Sequence, residues 1–299
     1  MIRLGEFKGR RAVIVETKTQ KATFLPDDGA KMSSLVDIST GKELLLVRKE
    51  EKYIPLDYNG SYVDSDCSAF DDMFPTIDPY TPSEGEYNGV TYPDHGEICR
   101  LPLGFDIEED RVVFFAESKI FKVTYKKTVY ALENGDVKID YSISNLGDDS
   151  FDFIWAGHVM LRGEDGMRLM TSFDENSPRE MVFATKGYDQ SKLPLDTLIG
   201  FKAKTGVAYK FYYLEKIKKG GFSVSYPDGS ILGFDYDKDK LPYLGVWINN
   251  GEFKDIYNIA PEPCTAPFDS PEKAANKGYY SKIEAKQKFE FDIKISINH

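Results

Sequence analysis

The stretch KFEFDIKISI (288–297) alternates without a break: Phe289, Phe291, Ile293, Ile295 and Ile297 fall on one side, and Glu290, Asp292, Lys294 and Ser296 on the other. A period of two is that of a strand with one buried face, and no helix buries such a stripe. DVKIDYSI repeats the pattern with Val137, Ile139, Tyr141 and Ile143. Further strand-like runs are RAVIVET, RVVFFAES, FKVTYKKTVYAL, FDFIWAGHVML, AYKFYYL, GGFSVSYPD and SILGFDYD. Turn-forming clusters separate them: Pro26 to Gly29, Glu133 to Asp136, Pro227 to Gly229 and Asp237 to Asp239. Many short strands with such punctuation predict an all-β fold, a large antiparallel β-sandwich with few short helices.

The one good helix signal is SPEKAANKG, with Ser270 as N-cap, Pro271 at the first helical position, Glu272 in the first turn and Gly278 as the stop. Neither an internal repeat nor a linker stands out. All-β sandwiches reach 299 residues as one unit, so a single domain over 1–299 is expected. The segment between Tyr53 and Asp94, including the Asp-rich part at 57–80, is irregular and rich in Pro, Gly, Asp and Tyr. A long irregular segment inside a compact domain is usually a functional loop.

Charge narrows the partners. The formal net charge is 38 − 49 = −11, which opposes nucleic acid and acidic membrane surfaces alike. Cys67, Cys99 and Cys264 are an odd count that implies no disulfide framework and fits a reducing compartment. MIRLGEFKGRR has no signal-like apolar region, and no window approaches the length of a membrane span. A cytoplasmic location is expected, as a monomer or a homodimer.

Chemistry-bearing residues are few. Of three histidines, His299 is the last residue. His95 follows the long loop and precedes Gly96, which permits a positive φ. His158 sits in an otherwise apolar strand, where an ionisable group needs a partner or a purpose. Glu262 lies between Pro261 and Pro263 in IAPEPCTAPFD. Two fixed φ angles and two missing donors make it a stiffly held carboxylate at a strand end, or an exposed Glu in a Pro-rich loop. Two imidazoles and a carboxylate suit general acid–base work near neutral pH.

FDDMFPTIDPY (70–80), DHGEICR (94–100), WAGHVML (155–161) and YLGVWINNGEFKDIYNIAPEPCTAPFD (243–269) together resemble the aldose 1-epimerase, or galactose mutarotase-like, family, in that family's order. The resemblance implies a large antiparallel β-sandwich and interconversion of α and β anomers of an aldose, free or phosphorylated, without metal or cofactor. It implies Glu262 as the general base, His158 as the acid that protonates the ring oxygen, and His95 as a sugar ligand that assists. Arg100, Trp247, Asp71, Asp72 and Phe74 are the expected sugar-binding residues. The family's N-terminal arginine is missing, since Asp71, Asp72 and Phe74 stand there. The acidic residue between the second histidine and the base has no clear counterpart, with Asp235 the nearest candidate.

Three other classes stay open on the residues alone. A non-catalytic sugar-binding protein would keep Trp247 and the polar cleft. A zinc site would need His95, Cys99, His158 and Cys264 to meet, although their spacings match no zinc motif. A glycosidase would need a second placed carboxylate. Phosphate loops, nucleophile elbows and dinucleotide fingerprints are absent from the sequence.

Overall fold

Strand after strand follows the expected alternation. The structure, a computed structural model, describes residues 1–185 and 205–299. In chain order its strands are β1 (Ile2–Phe7), β2 (Arg10–Glu16), β3 (Gln20–Leu25), β4 (Lys31–Asp37), β5 (Phe70–Met73), β6 (Gly104–Ile107), β7 (Arg111–Glu117), β8 (Val123–Ala131), β9 (Val137–Asn145), β10 (Phe151–Asp152), β11 (Ala156–Val159), β12 (Leu161–Arg162), β13 (Arg168–Met170), β14 (Arg179–Ala184), β15 (Val207–Tyr213), β16 (Phe222–Ser225), β17 (Ile231–Tyr236), β18 (Tyr243–Asn250), β19 (Tyr257–Cys264), β20 (Lys282–Ile283) and β21 (Lys288–Asn298). The larger sheet runs β1-β2-β3-β4-β5-β11-β19-β18-β15-β14, with β12 also on β19. The second runs β13-β16-β17-β21-β9-β8-β7-β6, and β10 pairs with β20 on its own. The fold is an antiparallel all-β sandwich.

Aromatic side chains from both sheets meet between them. Phe24 packs on Phe114 at 5.8 Å between ring centroids, Phe70 on Phe234 at 6.3 Å and Trp155 on Phe291 at 4.6 Å. Burying each such ring contributes about 2–3 kcal/mol. Val137, Ile139, Tyr141 and Ile143 are all buried, as are Phe291, Ile293, Ile295 and Ile297, while Phe289 is half-buried. The helix α1 spans Pro271–Asn276, and Ser270 accepts a hydrogen bond from the Lys273 N–H as its cap.

Three local features differ from the sequence expectation. FDFIWAGHVML is not one strand: β10 leaves toward β20, the chain crosses at residues 153–155, and β11 and β12 join the larger sheet. Glu262 is at neither a strand end nor a loop, but inside β19, paired to β18 along its whole length. On its other side β19 pairs at Cys264 with β11 and at Ile259 and Asn258 with β12. The gap between those pairs is where Pro261 and Pro263 lack an N–H, so the sheet tolerates them in an interior strand. Residues 70–73 form β5 within the larger sheet rather than part of a loop.

Candidate active site

Alternation along β5 sends consecutive acids to opposite faces. Phe70 and Asp72 point between the sheets, and Asp71 points to the outer face of the larger sheet. Asp72 lies 2.7 Å from the Lys127 Nζ and accepts from the Tyr141 hydroxyl at 3.0 Å, all three groups buried. Burial pushes its carboxyl up despite Lys127. Asp72 is thus a core ion pair and not a cleft residue. Phe74 is also in the core, against Tyr125, Phe151 and Phe153.

On the outer face the register assembles a row of charges. Asp71 stands opposite His158. Ala156 stands opposite Cys264, so two residues on His158 comes beside Glu262. His158 Nδ1 and Glu262 Oε1 are 2.8 Å apart. Lys210 Nζ from β15 lies 2.7 Å from Glu262 Oε2 and 2.7 Å from Asp269 Oδ1, and the Tyr212 hydroxyl donates to the same Asp269 oxygen at 2.7 Å. Lys210 reaches Glu262 across β18, where Gly245 is opposite Glu262. A Cβ on Gly245 would lie 2.6 Å from the Tyr212 ring, so the glycine keeps this crossing narrow and open. At the other end Lys31 Nζ sits 3.0 Å from Asp71 Oδ2, which also accepts from the Tyr62 hydroxyl at 2.6 Å.

Burial alone would push the Glu262 carboxyl up, but Lys210 and His158 outweigh it and hold it down to about 2. The carboxylate therefore only accepts, and His158 Nδ1 carries the hydrogen between them. Burial pushes the His158 imidazole below its usual range in spite of Glu262, so the ring is neutral at pH 7 with Nε2 as an open acceptor. Lys210 is held charged, its two carboxylates outweighing burial.

The long loop brings the second imidazole. Tyr62 stacks on His95 with ring centroids 3.9 Å apart and interplanar angle 6°, and both rings stand edge-on to His158 at 6.1 Å. His95 Nδ1 lies 2.8 Å from Asp94 Oδ1. Burial raises the Asp94 carboxyl, but His95, the Tyr62 N–H and Arg100 together more than offset it, so Asp94 is a carboxylate and this Nδ1 also donates. His95 has φ 57° and Gly96 φ 77°; a Cβ on Gly96 would overlap the Phe74 backbone.

Arg100 is buried and spends its guanidinium on the carbonyls of Gly96, Tyr58, Gly60 and Asp94. It ties the long loop to the His95 segment instead of facing the cleft. Trp247 is half-buried on the same outer face, opposite Ala260, near Phe183 at 5.6 Å and Phe253 at 6.0 Å. Asp235 is exposed on the second sheet, 3.4 Å from Lys294. Cys99 donates its thiol to the His95 carbonyl at 3.3 Å. Among the described residues no group of three or more His, Cys, Asp or Glu is arranged to hold a metal ion, and no helix is long and apolar enough to cross a membrane. Sequence reasoning missed Lys210, Asp269, Tyr62 and Lys31; a lysine within the aromatic run AYKFYYL was the one available signal.

No protein-family model matches the chain, and no curated protein matches it in sequence. Solved structures do. A galactose mutarotase-like protein from Clostridium acetobutylicum superposes with TM-score 0.66 at 16% identity, covering 100% of this chain and 98% of that one. The chain has the galactose mutarotase-like fold. A galactose mutarotase-like protein from Lactobacillus casei gives TM-score 0.63 at 16% identity over 96% of this chain and 100% of its own. A proposed aldose 1-epimerase from Klebsiella pneumoniae gives 0.77 at 15% identity over 99% and 82%. Within the galactose mutarotase-like fold, the outer-face row on β5, β11, β19 and β15 is the densest cluster of ionisable groups described above.

Proposed function

We propose that this protein is an aldose 1-epimerase-like isomerase that interconverts α and β anomers by acid–base ring opening. The observation that carries this reading is the pair of imidazoles, His95 and His158, 6.1 Å apart, each with Nδ1 fixed on a carboxylate. Ring opening takes a proton from the O1 hydroxyl and gives one to the ring oxygen, and two oriented imidazoles supply both transfers. His158, Glu262 and His95 form the acid–base set. Trp247, with Phe183 and Phe253, offers an aromatic shelf for the apolar face of a sugar.

A free aldose fits better than a phosphorylated one. A groove of about 710 Å3 is lined in part by Leu46 and Ile256, which pack with Met160, Ala260 and Trp247. Of its four cations, Arg48, Lys49, Arg162 and Lys254, all but one are matched by the three carboxylates Glu43, Glu50 and Asp255. Three free cysteines support a cytoplasmic setting. One observation favours a second reading, a non-catalytic sugar-binding protein: Glu262 is closed off and clamped by Lys210.

Saturation-transfer NMR of anomer exchange over a panel of aldoses and hexose 6-phosphates tests the choice. Exchange faster than buffer, lost at least a hundredfold in His158→Asn, is the expected result. Binding without faster exchange establishes the second reading, and neither binding nor exchange refutes both.

A further inference from the structure

We propose that Tyr62 is a positioning residue: its ring sets the plane of the His95 imidazole, and its hydroxyl ties that imidazole to the larger sheet. This role rests on the isomerase reading. His95 stands on a loop at a left-handed φ of 57°, and its Nδ1 is bonded to Asp94, its own neighbour in the chain. A hydrogen bond at one nitrogen leaves a ring free to swing about that bond, and a partner on the same loop moves with it. Tyr62 removes both freedoms. It lies face to face with His95, centroids 3.9 Å apart and planes 6° from parallel. Its hydroxyl donates at 2.6 Å to Asp71 Oδ2, which Lys31 holds from β4 at 3.0 Å. Burial pushes that hydroxyl well above its ordinary range, so it stays a donor. Asp71 is the residue opposite His158. The register that places one imidazole on the sheet thus places the other through Tyr62.

Tyr62 is held in turn. Its N–H donates to Asp94 Oδ2 at 3.3 Å while Asp94 Oδ1 takes His95, so one carboxylate bridges the two stacked residues. Its carbonyl accepts from the Ser65 hydroxyl at 2.7 Å. Arg100 bonds to the carbonyls of Tyr58 and Gly60 on the Tyr62 side, and to those of Asp94 and Gly96 on either side of His95. The irregular segment around Tyr62 is therefore an arm that carries a ring to the site and is locked there. At 2% exposure Tyr62 is closed off from solvent, so it acts through His95 and not on a ligand directly. It stands edge-on to His158 at 6.1 Å, the distance at which the two imidazoles also meet. An imidazole turned out of its plane presents its nitrogen to the wrong atom, and a misplacement of about 1 Å costs about a hundredfold in rate.

Two readouts separate this role from core filling. The first needs no substrate: the His95 ring protons, assigned by their loss in His95→Asn, are followed by NMR at one fixed pH. With three histidines in the chain the assignment is simple. In wild type and in Tyr62→Phe they should lie upfield of those of the partly exposed His299, because they sit over a ring face, and in Tyr62→Leu they should move back downfield. The second readout is anomer exchange. Tyr62→Leu should lower kcat about a hundredfold with KM within about threefold, and Tyr62→Phe, which keeps the stack, should hold kcat within about fivefold of wild type. A KM that rises while kcat holds makes Tyr62 a sugar contact, and kcat and KM that both hold make it core filling; either result overturns the proposal. If Tyr62→Leu does not fold, the wild-type spectrum decides alone: upfield His95 protons support the proposal, and protons at the His299 position overturn it. No exchange in the wild type refutes the isomerase function and this role with it, whereas exchange that Tyr62→Leu leaves unchanged refutes only the role of Tyr62.

Discussion

Lys210→Met is a stability experiment whose size follows from the structure. The Glu262 carboxyl stands at about 2 in the folded chain against an ordinary 4.5. A difference of about 2.5 pH units at 1.36 kcal/mol each makes the ionised, paired carboxylate a contribution of about 3 kcal/mol. Because the folded value is the lower one, this contribution is complete above pH 4.5 and is lost as pH falls toward 2. Methionine removes the cation that offsets burial, so the folded Glu262 value rises above 4.5. From there the variant loses stability as pH increases. The expected loss is about 3–5 kcal/mol at pH 7, the range for breaking a buried ion pair from one side, and about 1 kcal/mol at pH 4. In urea, with a slope near 3 kcal/mol/M, the midpoint should drop by about 1 M at pH 7 and by about 0.3 M at pH 4. An equal drop at both pH values would refute the electrostatic account and leave lost packing as the cause.

Other perturbations test other parts of the frame. Lys127→Met strands Asp72 between the sheets and should cost about 3–5 kcal/mol, with Asp72→Asn in the same chain recovering at least half; denaturant titration of both variants checks it. Gly96→Ala places a Cβ against the Phe74 backbone at a positive φ, and the expected result is little folded protein, seen as loss of the cooperative thermal transition. Under the proposed function, Trp247→Ala should raise KM for the aldose about tenfold and leave kcat within threefold, because the ring would meet the sugar's face and not its reacting atoms.

The strands that make the core were legible because half of each must be buried. β9 and β21 show it residue by residue, and α1 announced itself by its Ser-Pro start. The resemblance also selected His95, His158 and Glu262, and the structure brings those three to one face. What the sequence hid depends on register. Asp71 and Asp72 look alike in FDDM, but only the position of β5 within the sheet decides which faces Lys31 and which faces Lys127. Glu262 read as a strand-end or loop residue because two prolines argue against an interior strand, and the break between β11 and β12 that admits them lies about a hundred residues away in the chain. Lys210 was invisible because its partners sit on β19 and beyond, reached only by crossing the bare face at Gly245. Arg100 was expected to bind sugar on its motif position, yet four carbonyls of neighbouring loops claim its guanidinium.

The row Lys31, Asp71, His158, Glu262 and Lys210 has a consequence for assembly. If one of β4, β5, β11, β19 or β15 slid by one residue, its ionisable group would turn into the apolar layer between the sheets. A slide by two would keep the face but part the partners by about 7 Å. Either error leaves a charge without its opposite, so alternate pairings of these five strands are penalised before any ligand is present. The side chains proposed to transfer protons are thus also the key that locks the strands into a single alignment.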